Sequence, residues 1–179
     1  MVFLSLAARL LINVEALNMV ESVGNVTRHR RATMIINTER GYQKVEVPAI
    51  SGESIAHGYQ VAIAKIAEDI FKVPVCSWCA RGEFFKEMDD AHTIPSAKDK
   101  KDNVHEFEKE VISKCVVEDI GGFLRAEAPP VKRTSRFAVG YMVPAADAIK
   151  VSSLESQFHV RHAPSEPRKE EERAAQMIY

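Results

Sequence analysis

The fold is decided by residues 33–60, which read TMIINTERGYQKVEVPAISGESIAHGYQ. Two runs within it, 33–37 and 42–47, are typical of β-strands, and Gly41 can adopt the positive φ of a tight turn. These features predict a β-hairpin. Ser51 is suited to cap a helix, because apolar residues recur at helical spacing after it.

The predicted helix runs from Ser51 to about Phe71. Its buried stripe is predicted from apolar residues at helical spacing, namely Ile55, Tyr59, Ala62, Ile63, Ile66 and Ile70. Glu53, His57 and Gln60 fall on the opposite, polar face of this helix.

Further strands are predicted from alternating apolar residues. Every even position from Val2 to Ala16 is apolar, which predicts a long strand with one buried face. Residues 135–143 and 154–161 alternate in the same way and are also predicted to be strands.

A second helix is predicted to begin at Asn103, where Glu106 would complete a capping box. Gly121-Gly122 would end it. Its buried stripe is predicted to contain Val104, Phe107, Val111 and Cys115. Residues 74–102 lack a sustained period and are predicted to be an irregular insertion, and 163–173 an exposed, mobile loop. The following AAQMIY resembles the beginning of a strand, which favours a chain that is part of a longer gene product.

Composition and charge narrow the functional classes. The chain has 179 residues, 46% of them hydrophobic and 27% charged, which excludes disorder for most of its length. Its net charge is only −1, so binding to a polyanion requires segregated charge. The apolar N-terminal run is interrupted by Arg9 and lacks the pattern of a signal peptide. Three cysteines, an odd count, favour a reducing compartment, and we predict a cytoplasmic protein with no membrane partner.

Charge is indeed segregated. Residues 28–44 contain five basic side chains against one carboxylate, and residues 125–136 contain four against one. The densest part is NVTRHRR at 25–31, where arginine guanidinium groups suit phosphate oxygens. A capped helix N-terminus at Ser51 would add partial positive charge. These clusters predict a polyanionic partner.

Motifs for catalysis or metal binding are weak in this sequence. Cys76 and Cys79 form a CxxC, but no second ligand pair follows at the spacing of a zinc site, so we predict packed thiols, with no metal or cofactor. The sequence has no Walker loop, HExxH or GxSxG motif, which favours a binding protein without catalytic residues.

Five blocks in order carry a resemblance to a known family. They are NVEALNMVESVGNVTRHRRA (13–32), VPAISGESIAHGYQ (47–60), DIGGFL (119–124), PPVKRTSRFAVGYMVPA (129–145) and LESQFHVRHA (154–163). Together they resemble the archaeal Csa family of CRISPR-associated proteins, the DevR-like backbone subunits of the type I-A Cascade in the RAMP superfamily.

The resemblance implies a fold and a domain layout. It implies an α+β fold in which a modified RNA-recognition-motif (ferredoxin-like) antiparallel sheet forms a palm and helical insertions form finger and thumb regions. The first half of this palm would be 1–73, the insertion 74–124, the later strands and basic segment 125–162, and the loop leading into a truncated strand 163–179. Part of the C-terminal sheet would be missing.

The resemblance also implies partners and contact residues. Copies of the protein would polymerise along CRISPR RNA in a helical filament with other Cascade subunits, and present the spacer for pairing with target DNA. The implied RNA contacts are Asn25, Thr27, Arg28, His29, Arg30, Ser51, Gly52, His57, Lys132, Arg133, Arg136, His159 and Arg161. No strand carries the aromatic pair on which RNA-recognition motifs stack bases, so we expect binding that is independent of spacer sequence.

Two alternatives stay open at this point. One is a metal-independent CRISPR endoribonuclease of the same broad fold that uses His29, His57 or His159 as general acid or base. The other is a DNA-binding regulator, which has no helix-turn-helix pattern to support it.

Overall fold

The computed structural model describes residues 3–12, 19–23, 26–149 and 157–158. The strands are β1 (Met19–Val23), β2 (Val26–His29), β3 (Arg31–Thr38), β4 (Gly41–Pro48), β5 (Phe123–Arg125), β6 (Val131–Arg133) and β7 (Gln157–Phe158). The helices are α1 (Gly52–Ile66), which continues into a π-helical turn (Ala67–Phe71), then α2 (Ser77–Ala80), α3 (Pro95–Lys98), α4 (Val104–Lys114) and α5 (Val116–Gly121). Small antiparallel sheets combined with helices confirm the α+β fold. The RNA-recognition-motif arrangement within that class stays a prediction.

The chain divides into two compact units. The strand unit is Met1–Gly52 with Gly140–Tyr179, and the helical unit is Glu53–Val139. The domain boundaries implied by the family resemblance stay predictions. No helix in the described part of the chain is both long and apolar enough to cross a bilayer.

The predicted hairpin is confirmed in the strand unit. β3 and β4 pair antiparallel from Arg31 opposite Pro48 to Thr38 opposite Gly41. Gly41 has a φ of 98°, a conformation that glycine adopts without the strain of a Cβ atom. The Thr38 hydroxyl donates to the Gly41 carbonyl at 2.8 Å and closes the turn.

A second antiparallel sheet of the strand unit has the order β1-β2-β7. β2 is its central strand, and pairs Thr27 with Ser22 of β1 and with Gln157 of β7. The strand predicted for 154–161 is therefore confirmed at 157–158, and its other residues lie outside the described residues. The segment 163–173 and the AAQMIY run lie outside them as well.

Two predicted strands are wrong where the structure describes them. Residues 3–12 form no strand, and the large apolar side chains exposed there are Phe3, Leu4, Leu6, Leu10 and Leu11. Residues 135–143 contribute an isolated bridge, between Met142 and Ile50. Alternation indicates one apolar face, but a strand also needs a neighbour for its backbone hydrogen bonds, and the described strands offer none to these segments.

The helix after Ser51 is confirmed through Phe71, but its predicted buried stripe is wrong at four of its six positions. The buried residues are Ala64 and Ala67, whereas Tyr59, Ile66 and Ile70 are exposed. The sequence pattern emphasised large apolar residues, whereas close packing of α1 in the helical unit places small side chains at the contact.

α4 begins as predicted, because the Asn103 side-chain oxygen accepts hydrogen bonds from the backbone N–H groups of His105 (3.2 Å) and Glu106 (3.3 Å). Phe107, Val111 and Cys115 of its predicted stripe are fully buried. The predicted continuous helix is wrong at Cys115, which is extended (φ −149°, ψ 109°) and separates α4 from α5.

The core of the helical unit brings α1, α2, α4 and α5 against the β5–β6 hairpin. Its buried members are Ala64, Cys79, Ile94, Ala97, Phe107, Val111, Cys115, Val117, Phe123 and Val131. Gly122 joins α5 to β5 with a φ of 74°, and a Cβ atom there would lie 2.4 Å from the Arg133 carbonyl oxygen. Glycine at this position therefore permits the close approach of the two hairpin strands.

Candidate nucleic-acid interface

Most of the first basic cluster, NVTRHRR, lies on strands. Thr27, Arg28 and His29 belong to β2, Arg30 is the link, and Arg31 begins β3. Strand side chains alternate between two faces, and accordingly Arg28 is exposed while His29 is buried. The strand thereby separates an outward guanidinium from an inward imidazole. Asn25 lies outside the described residues.

His29 is 8% exposed, and neither of its ring nitrogens has a hydrogen-bond partner among the residues that the structure describes. Buried polar atoms are nearly always paired, because an unpaired donor or acceptor keeps the full cost of desolvation. The ring nitrogens of His29, at the end of β2, are therefore available to hydrogen-bond a polar group.

The start of α1 lies beside this cluster. The Ala49 N–H donates to the Arg30 carbonyl at 2.9 Å, directly after the β4 residue that pairs with Arg31. Ser51 and Gly52, two of the implied contacts, follow within three residues, and Ser51 is buried. Backbone N–H groups at a helix start carry partial positive charge, and Gly52 is the first residue of α1. Two separated sequence blocks are thus brought together.

Two of the RNA contacts that the family resemblance implies, His159 and Arg161, follow the short strand β7 in the sequence. β7 pairs with β2 up to Phe158 opposite Val26. His159 and Arg161 come directly after β7 and lie outside the described residues. Their RNA contacts stay predictions.

The second basic segment, in the helical unit, divides into structural and exposed members. Arg133 is only 12% exposed in its side chain, donates to the Asp119 carbonyl and to Glu108 at 3.0 Å each, and also pairs with the Asp119 carboxylate. Lys132 on β6 is exposed, and so is Arg136 (64%), whose Nε is 3.8 Å from Asp119. Lys132 and Arg136 have the access to solvent that phosphate contact needs, and Arg133 does not.

The candidate catalytic histidines are not arranged as an acid–base pair with a carboxylate in the part of the chain described. His57 is exposed on α1, and its ring meets the Phe84 ring edge-on with centroids 5.0 Å apart. A histidine–carboxylate pair does occur at His92, whose Nδ1 is 2.7 Å from the Oδ1 of Asp89. The hydrogen bond with His92 lowers the pKa of the Asp89 carboxyl. His92 was not among the candidates.

A cluster of thiols in the helical unit was not predicted from the sequence. Cys115 lies beside the CxxC residues Cys76 and Cys79, with Glu118 next to them. Hydrogen bonding among the thiols, led by Cys115, lowers the pKa of Cys76 and raises that of Cys79. Burial raises the pKa of Glu118 to about 7. The spacing of residues in the sequence could not reveal this cluster, because the helix break at Cys115 brings together residues that are distant in the chain. The one hint in the sequence was that Cys115 and Glu118 are three residues apart, a spacing at which two metal ligands can lie close together.

The fold and the site define an α+β protein with a concentrated basic surface on β2 and at the start of β3. Comparison with known proteins gives a more specific assignment. The chain belongs to the family described as CRISPR-associated negative auto-regulator DevR/Csa2, which matches residues 6–179.

Two relatives from Saccharolobus solfataricus are similar to this chain. One, the CRISPR-associated aCascade subunit Cas7/Csa2 2, is 45% identical over 159 residues, covering 87% of this chain and 49% of the relative. The other, the CRISPR-associated protein Cas7/Csa2 1, is 43% identical over 164 residues, covering 92% of this chain and 51% of the relative. The chain thus spans about half the length of these curated relatives. The family predicted from the sequence is confirmed.

Proposed function

We propose that this chain is part of a non-catalytic backbone subunit of a type I-A Cascade, which binds CRISPR RNA along its phosphates and presents the spacer to target DNA. Family membership and a relative named as an aCascade subunit support this proposal. In the complex, other copies of the chain would continue the filament and other Cascade subunits would bind it.

The observation that carries the proposal is the hydrogen bond between the Ala49 N–H and the Arg30 carbonyl. It joins the backbone of the basic β2–β3 segment to the residues just before Gly52, where α1 begins, which supports a contact surface made of arginine side chains and the backbone N–H of Gly52. Phosphate recognition uses these two kinds of donor, and neither reads base identity. A guide carrier with variable spacers requires that property.

The proposed contacts in the described strand unit are Thr27, Arg28, His29, Arg30, Ser51 and Gly52. In the helical unit they are His57, Lys132 and Arg136, and beyond the described residues Asn25, His159 and Arg161. Arg133 is left out because its guanidinium is engaged by Asp119 and Glu108.

The first test is to co-express the gene with a CRISPR array and the neighbouring subunits, purify the complex, and size and sequence its RNA. We expect RNA of uniform length derived from the array, with every spacer represented. Random fragments, or no RNA, would contradict the proposal.

The second test locates the interface. Arg28→Ala combined with Arg30→Ala should strongly reduce the RNA recovered per subunit. The matched control is Lys109→Ala combined with Lys114→Ala, which removes the same charge from α4 and should leave the RNA unchanged. Equal loss in both variants would indicate nonspecific attraction.

The nuclease alternative is tested by incubating the purified protein with a repeat-containing transcript and a chelator. A discrete cleavage product that His29→Ala or His57→Ala abolishes would replace the binding function with a catalytic one. We expect the transcript to remain intact.

A further inference from the structure

Four side chains with metal-binding atoms meet inside the helical unit. Cys76 and Cys79 flank the start of α2, Cys115 lies at the α4–α5 junction, and Glu118 is on α5. Their three Sγ atoms and one carboxylate oxygen all lie within 4.8 Å of one another. We propose that these residues bind one Zn²⁺ ion in tetrahedral geometry, as a structural site unrelated to RNA contact.

The distances fit this geometry. With Zn–S bonds of about 2.3 Å and a Zn–O bond of about 2.0 Å, tetrahedral ligands place two sulfurs about 3.8 Å apart and a sulfur and an oxygen about 3.5 Å apart. The Sγ of Cys79 is 3.3 Å from the Oε1 of Glu118. This pair is therefore close to the separation that a zinc ion requires, and every other pair of ligand atoms lies within 4.8 Å.

The burial of these groups also points to a cation. Cys79, Cys115 and Glu118 are each at most 2% exposed, and the three thiols are free. The Oε2 of Glu118 is buried and accepts no hydrogen bond from any residue that the structure describes. The Lys86 ammonium lies 4.0 Å from this oxygen. Burying a carboxylate that has few hydrogen bonds and no cation within hydrogen-bonding distance carries a large desolvation cost, and a metal ion bound by the same carboxylate offsets that cost.

The donor set favours zinc. Thiolates are soft ligands that select zinc over magnesium or calcium, and four protein ligands with no open position are typical of a structural zinc site. The surrounding groups support such a site: the Cys79 N–H points to the Cys76 Sγ at 3.5 Å, and Lys86 offsets part of the negative charge of three thiolates and a carboxylate. Each coordinating thiol gives up its proton to solvent when the ion binds.

The position of the cluster explains what the ion would do. It would link the insertion of residues 74–102, whose helices α2 and α3 have four residues each, to the longer α4–α5 pair. The Val116 N–H already donates to the Pro74 carbonyl at 3.0 Å beside the cluster. A segment with so little regular structure gains order from a metal crosslink, as small metal-stabilised folds do.

The primary test uses the unmodified chain, purified under reducing conditions without added metal. Elemental analysis should give one zinc per chain. Replacement by Co²⁺ should produce the visible absorption of tetrahedral cobalt and a sulfur-to-cobalt charge-transfer band with the intensity of three thiolates. Absence of zinc after reconstitution, an octahedral cobalt spectrum, bound iron in place of zinc, or a Cys76–Cys79 disulfide in protein alkylated at lysis would each overturn the proposal.

Variants then assign the ligands. Cys115→Ser should lower the cobalt charge-transfer intensity by a third or abolish binding, and Glu118→Gln should weaken zinc affinity at least tenfold. The matched control is Glu87→Gln, which changes a nearby buried carboxyl that accepts from the Ile94 N–H and is outside the four ligands. Zinc affinity in the control should be unchanged, and an equal loss in both glutamine variants would contradict the assignment. If Cys115→Ser does not fold, the cobalt spectrum of the unmodified chain still decides.

Discussion

At the scale of single residues, Arg133 shows how a basic sequence segment can contain a structural cation. Its guanidinium bonds Asp119 and Glu108, whereas its neighbour Lys132 is exposed. Arg133→Ala should lower the free energy of unfolding by about 1–3 kcal/mol, because hydrogen bonds to charged groups are lost. Lys132→Ala should change it by less than about 0.5 kcal/mol. Urea unfolding of both variants makes the comparison, and equal stability of the two would contradict the structural role.

Glu87 gives a pH-dependent prediction at the same scale. Burial raises its pKa to about 7, so the folded chain keeps a proton that the unfolded chain releases near pH 4.5. The folded state binds more protons between these values, so this group lowers stability as pH rises from 4.5 to 7. Above pH 7 its effect is constant.

Glu87→Gln removes this titration while keeping a side-chain oxygen for the Ile94 N–H. The stability of the variant relative to the unmodified chain should therefore rise between pH 4.5 and 7 and then level off. Thermal unfolding across this pH range, with both proteins saturated with zinc or both stripped of it, measures the difference. A difference that does not vary with pH would show that Glu87 is already ionised throughout.

At the scale of elements, local signals were sufficient where a few neighbouring residues determine the structure. Gly41 and the flanking strands predicted the hairpin, and Asn103 predicted the start of α4. The strand predicted for 2–16 was wrong at 3–12, and the buried stripe of α1 was wrong at most of its positions, because both depend on which distant surface packs against them. The thiol cluster was missed for the same reason: it forms only when the helix break at Cys115 meets the CxxC turn.

The Asn103 cap gives a prediction for α4. Asn103→Ala should lower the free energy of unfolding by about 1 kcal/mol, because the backbone N–H groups of His105 and Glu106 lose their acceptor. Asn103→Asp keeps an oxygen in the same place and should have nearly the stability of the unmodified chain. Chemical denaturation of the three proteins tests this, and an aspartate variant as unstable as the alanine variant would contradict capping.

At the scale of the whole molecule, the net charge of −1 means that the proposed binding of RNA requires local clusters of basic residues. Each phosphate that a side chain neutralises releases counterions, so the logarithm of the RNA association constant should fall linearly with the logarithm of salt concentration. The slope counts phosphate contacts, about 0.7 per contact for a single strand. Measuring this slope in variants therefore distinguishes arginines that contact phosphates from surface charges that do not.

We expect Arg28→Ala to reduce the magnitude of this slope by about 0.7, because one phosphate contact is lost. Lys109→Ala removes the same charge from the exposed surface of α4 and should leave the slope unchanged. Fluorescence anisotropy with guide RNAs of two unrelated spacers, across a salt series, measures both variants against the unmodified protein. Affinities that differ between the spacers would contradict backbone recognition, and equal slopes for Arg28→Ala and the unmodified protein would remove Arg28 from the interface. A slope that falls only for Arg28→Ala, with equal affinity for both spacers, would place the phosphate path on β2, where strand alternation already turns the Arg28 side chain outward.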